Sequence, residues 1–109
     1  YLSFVHTPFA NQMLSDLAKD AIDKEGLGTR EATDMLGVSF SSTDYLGHLF
    51  GPNSQEIEDM MLRLDQSLAG LFQFVDQKVG LDKCLIVLTG DHGVMPIPEF
   101  LRDKGIDAG

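Results

Sequence analysis

The sequence predicts an α/β fold organised on a mainly parallel sheet, and three observations carry that expectation. The stretch Leu85-Ile-Val-Leu-Thr-Gly-Asp-His-Gly93 is an uncharged apolar run that ends abruptly in Asp91 and His92, the pattern of a strand buried on both faces. A second short apolar segment, Met35-Leu-Gly-Val-Ser-Phe40, is bounded by polar residues. Between them lies a long helical pattern. Strand, helix, strand in that order is a right-handed crossover with parallel strands in nearly all cases.

Taken in order, residues 1–6 read as a short strand and Thr7-Pro8 as a helix start, with Asn11 as a second candidate cap. Met13, Leu14, Leu17, Ala18, Ala21 and Ile22 recur at three- and four-residue spacing, giving an amphipathic helix that Gly26 closes. Residues 27–33 are a polar connection to the strand at 35–40. Residues 41–54 are rich in turn formers and carry Asp44 and His48; a single helical turn there would put both on one face. Asn53 or Ser54 caps the next helix, and Asn53 and Glu56 have capping-box spacing. Glu56, Glu58 and Asp59 crowd its first turn, as the helix dipole favours. Its apolar stripe is Ile57, Met60, Met61, Leu64, Leu68, Leu71, Phe72 and Val75, running to about Lys78 and stopping at Gly80. The central strand follows at 84–89, and the tail suggests a short helix opened by Pro98 and closed by Gly105.

A length of 109 residues fits one domain, and 43% hydrophobic with 23% charged residues is an ordinary globular composition. A formal charge of −9 opposes docking on a nucleic-acid backbone, which needs clustered Lys and Arg. No stretch approaches the roughly 20 apolar residues of a membrane span. Tyr1-Leu-Ser-Phe-Val lacks the basic and apolar regions of a signal peptide. Cys84, alone in the chain and set in an apolar run, is expected to be a small buried residue rather than a reactive thiol.

The chemistry rests on geometry. If both strands point the same way, Asp44 and His48 after the first and Asp91 and His92 after the second emerge at one sheet edge, where open α/β sheets hold their ligands. Oxygen and nitrogen donors without sulfur suit zinc, manganese or iron. Two Asp/His pairs in separate loops suit a two-metal site, the kind that clamps both oxygens of a phosphoryl or sulfuryl transfer. His6 has no local support for such a role. Nucleophile-elbow, phosphate-loop and dinucleotide-fingerprint patterns are absent from the sequence.

Phe40-Ser-Ser-Thr-Asp-Tyr-Leu-Gly-His-Leu-Phe-Gly-Pro-Asn-Ser54, with Glu56-Ile-Glu-Asp-Met, Leu62-Arg-Leu-Asp65 and Leu88-Thr-Gly-Asp-His-Gly93, resembles the alkaline phosphatase superfamily. The closest branch is the bacterial alkaline phosphatases related to type I phosphodiesterases and nucleotide pyrophosphatases. The resemblance implies an alkaline-phosphatase-like three-layer α/β/α sandwich, of which residues 1–109 are one internal segment of a larger catalytic domain. It implies a two-zinc phosphoesterase that hydrolyses small phosphate monoesters through a phosphoryl-enzyme intermediate. Phosphodiesterase or nucleotide pyrophosphatase is the runner-up and a phosphate mutase a weaker third.

By the same resemblance Asp44 and His48 bind one zinc together with a further His. Asp91 and His92 bind the second with another Asp and a Thr or Ser nucleophile. The nucleophile and the remaining ligands are implied to lie outside this segment. The segment alone is therefore expected to be inactive, to retain its metals poorly and to self-associate through exposed sheet edges. A periplasmic or extracytoplasmic location is implied as well. The reading from another class is a metal-free structural or interaction module, in which Asp44 and Asp91 are solvated loop carboxylates.

Overall fold

Thr7, extended and followed by Pro8 at the first helical position, opens α2, Pro8–Glu25. Gly26 closes it in the left-handed conformation (φ 62°), its N–H bonded to the Ile22 carbonyl. Ser54 rather than Asn53 caps α4, Gln55–Lys78, its hydroxyl accepting the Ile57 N–H at 3.3 Å. The computed structural model describes residues 2–107, and its remaining elements are α1 (Leu2–Val5), α3 (Ser42–Phe50), a 3₁₀ turn at Leu81–Lys83 and α5 (Pro98–Asp103). Pro98 opens α5 and Gly105, at φ 73°, follows it, as the sequence predicts.

Among the described residues no strand forms, which overturns the α/β class, the three-layer sandwich and the strand–helix–strand crossover for this chain. Residues 2–5, expected as a strand, are the helix α1. The segments 35–40 and 84–89 carry neither helix nor strand. The physical reason is that an apolar run records fitness for burial, whereas a strand exists only by pairing. Among the described residues, 30–39 and 85–96 make no backbone–backbone hydrogen bond. Leu85 is 91% exposed. Cys84, expected to be buried, is half-buried with its thiol on the Gly80 carbonyl. With no sheet, self-association through sheet edges has no basis in this structure.

The chain is held by α2 against α4. Ala18 and Ile22 of α2 meet Leu71 of α4, with Leu27, Val38, Phe74, Val75 and Val79 packed around them. Farther along the pair, Met60 is fully buried and the Asn11 amide donates to its sulfur at 3.4 Å. The buried face of α2 is rotated from the expected stripe. Asn11, Ser15, Ala18 and Ile22 face α4, while Met13 and Leu17 are exposed, Leu17 at 62%. Small side chains win that face because they let the helices approach; Ser15 reaches the Ser67 carbonyl at 3.4 Å, and Ser67 donates to the Gln12 amide at 2.9 Å.

The radius of gyration is 17.3 Å over extents of 58 × 27 × 18 Å. A compact domain of this length has about 13 Å. The excess, with Leu85, Val87, Leu88 and Met35 facing solvent, shows a chain that covers only part of its apolar surface. Among the described residues no helix is long and apolar enough to cross a membrane.

Candidate metal centre

Asp44 and His48 stand one turn apart on α3, where the sequence left only the option of a single turn. The four-residue spacing brings His48 Nε2 to 3.2 Å from Asp44 Oδ1. The start of α3 is tied to α2 by the buried Asn11, whose amide donates to Thr43 Oγ1 at 3.2 Å. That anchor fixes the residue next to Asp44.

His92 arrives from the irregular segment beyond α4 and brings Nε2 to 3.4 Å from the same Asp44 oxygen. The two imidazole centroids are 5.3 Å apart. Donor atoms of Asp44, His48 and His92 all lie within 4.8 Å of one another. Asp91 does not join them. It is 84% exposed, one oxygen accepting the His92 N–H at 3.0 Å and the other 3.8 Å from His92 Nε2. In this structure the His92 ring thus lies beside Asp44 and His48, with an Asp91 oxygen also 3.8 Å from its Nε2. His6 stands apart from the trio, its ring edge-on to Tyr45 at 5.9 Å.

Local chemistry sets the His92 ring. Nδ1 lies 3.1 Å from the Gly93 carbonyl. A carbonyl only accepts, so in the neutral ring this bond puts the proton on Nδ1 and directs Nε2 toward Asp44 and His48. The same carbonyl, then the Asp91 charge, raise the His92 pKa above the usual imidazole value; burial opposes them and Asp44 adds a lesser upward push.

The donor set fits a metal ion. Zinc bonds of about 2.0–2.2 Å in a tetrahedron set neighbouring donors about 3.3–3.6 Å apart. The contacts to Asp44 Oδ1, 3.2 and 3.4 Å, match that edge. An Asp oxygen with two imidazole nitrogens and no sulfur is a hard-to-borderline set suited to zinc, manganese or iron.

The feature that motif reading misses is how His92 is docked. Gly47, buried inside α3 between Asp44 and His48, receives the Val94 side chain, and Gly51 at the helix end receives Ile97. The available signal is a glycine in a helix interior, where it is disfavoured without a packing reason.

Comparison with known proteins agrees with the motif resemblance. The profile of the type I phosphodiesterase / nucleotide pyrophosphatase family matches residues 2–108. The alkaline phosphatase PhoV of Synechococcus elongatus is 47% identical over 104 residues, which is 95% of this chain and 19% of that protein. The alkaline phosphatase PafA of Elizabethkingia meningoseptica is 44% identical over 103 residues, 94% of this chain and 19% of that protein. The crystal structure of wild-type PafA superposes with a TM-score of 0.91 at 43% identity, covering 94% of this chain and 20% of that one. The chain therefore spans about a fifth of the length of the relatives it matches.

Proposed function

Because the chain belongs to the type I phosphodiesterase / nucleotide pyrophosphatase family, we propose that it is one segment of the catalytic domain of a two-zinc phosphoesterase acting on small phosphate monoesters. The observation that carries this reading is the convergence of Asp44, His48 and His92 donor atoms within 4.8 Å. The alkaline phosphatase names of PhoV and PafA favour the monoester.

In this reading Asp44 and His48 hold one zinc, and Asp91 and His92 contribute to the second, with the remaining ligands and the hydroxyl nucleophile supplied by the rest of the protein. When bound, the metals supply positive charge that lowers the pKa of water or a hydroxyl and neutralises charge developing on the transferred phosphoryl group. The chain's own residues prepare that site. The i,i+4 placement on α3 orients the Asp44 carboxylate and the His48 ring together. The Gly93 carbonyl holds His92 in the tautomer whose Nε2 can ligate. The Asp91 carboxylate, bonded to the His92 N–H, fixes the backbone that carries the ring. No hydroxyl of this chain is assigned as the nucleophile, and the phosphoryl-enzyme step belongs to residues elsewhere in the protein.

The family profile's own description favours a second reading, a phosphodiesterase or nucleotide pyrophosphatase built on the same ligands. The test uses the full-length protein, with zinc content and hydrolysis of an aryl phosphate monoester and an aryl phosphate diester. His48→Ala and His92→Ala are each expected to lower both zinc content and rate. Full metal and full rate in both variants would overturn the assignment, and a faster diester reaction would select the second reading.

A further inference from the structure

We propose that Gly47 is a positioning residue for His92: the missing side chain leaves the space in which Val94 seats on α3, and that seat holds the imidazole against Asp44 and His48. The inference rests on the metal-site reading above.

Gly47 needs no unusual backbone, since its φ is not positive and it lies inside a regular helix. Glycine ranks above only proline as a helix former, so conformation does not explain its presence there. Space does. A Cβ at Gly47 would stand 3.2 Å from Val94 Cγ2 and 3.7 Å from Ile57 Cδ1 on α4, so it is hemmed by the incoming segment on one side and by the helix pair on another. Carbon atoms prefer about 3.5–4.0 Å, so Val94 would have to withdraw by a few tenths of an ångström.

One turn further, a Cβ at Gly51 would stand 3.0 Å from Ile97 Cγ2 and 3.3 Å from its backbone nitrogen. Residues 94–97 therefore lie along a track made by Gly47 and Gly51. Among the described residues, 85–96 make no backbone–backbone hydrogen bond, so these side-chain contacts fasten the His92 segment to α3. Val94 is separated from His92 only by Gly93. A shift of Val94 is carried toward the His92 backbone through this single residue, and metal sites hold bond lengths to within roughly 0.2 Å.

The test is made in the full-length protein with Gly47→Ala, Gly47→Ala/Val94→Ala and His48→Ala. Zinc affinity is measured by chelator competition, and cobalt-substituted protein reports ligand geometry through its visible absorption. Gly47→Ala is expected to weaken zinc binding by about 10–100-fold, the usual effect of disturbing the groups that orient a ligand. It should also change the cobalt spectrum while helix content and thermal midpoint do not fall. Removing the Val94 methyls in the same protein is expected to recover most of the affinity. Wild-type zinc affinity in Gly47→Ala, beside lost metal in His48→Ala, would overturn the positioning role alone. Retained metal in His48→Ala would overturn the metal-site reading and this inference with it. If Gly47→Ala does not accumulate, Val94→Leu crowds the same seat from the other side; weakened zinc binding supports the proposal and unchanged binding overturns it.

Discussion

Asp44 Oδ1 on α3 and His92 Nε2 beyond the end of α4 lie 3.4 Å apart, and His48 Nε2 meets the same oxygen at 3.2 Å. One carboxylate oxygen thus faces two imidazole nitrogens, an arrangement in which the negative charge at Asp44 is the shared element. Asp44→Asn preserves the shape and removes that charge. In full-length protein it is expected to lower zinc affinity by at least about tenfold, as metal ligands act in their deprotonated form. Zinc titration by calorimetry checks it, and circular dichroism is expected to show unchanged helix content.

Among the described residues Met60 is the largest fully buried side chain, and its sulfur also receives the Asn11 amide. Met60→Ala opens a cavity between α2 and α4 and is expected to cost about 2–5 kcal/mol. Urea unfolding of the full-length protein measures the loss. A cost below about 1 kcal/mol would mean that the surrounding helices collapse into the space.

Two glycines separate space from conformation. Gly70 lies within α4 and a Cβ there would meet only Lys19 Nζ, at 3.7 Å, so Gly70→Ala is expected to stabilise by about 0.5–1 kcal/mol. Gly51 has φ +78° and Ile97 at 3.0 Å, so Gly51→Ala is expected to destabilise by at least about 1 kcal/mol. Opposite shifts of the thermal midpoint check the pair.

Lys78 of α4 binds Asp23 of α2 at the surface. The hydrogen bond from Lys78, then its charge, hold the Asp23 pKa below the usual carboxylate value. A depressed folded-state pKa contributes stability above the unfolded value and loses it as pH falls through the folded one. In Lys78→Met the Asp23 midpoint is expected to rise toward 3.8, read by NMR titration of the side-chain carboxyl. Both groups are about half exposed, so raising the salt concentration is expected to shrink the difference.

Much of the helical framework was legible because its causes are local. Thr7-Pro8, Gly26, Ser54 and Pro98 mark their boundaries through backbone chemistry that needs no distant partner. The Asp44/His48 spacing was equally readable, since helical periodicity alone puts the two on one face. The strand expectations at 35–40 and 84–89 failed because a strand is a pairing, and neither segment has one here. The stripe on α2 was misjudged for a related reason. Hydrophobicity favours Met13 and Leu17, but close approach of α4 selects Asn11 and Ser15.

The sequence by itself determined where α2, α4 and α5 begin and end and, through its motifs, the family. Only the tertiary structure decided that His92 Nε2 comes within 3.4 Å of the Asp44 oxygen that His48 also meets. Adjacent residues in an irregular segment send their side chains in different directions, so chain neighbours need not share a site. Beyond His92, Val94 packs on Gly47 and Ile97 on Gly51, contacts between segments that no local pattern encodes.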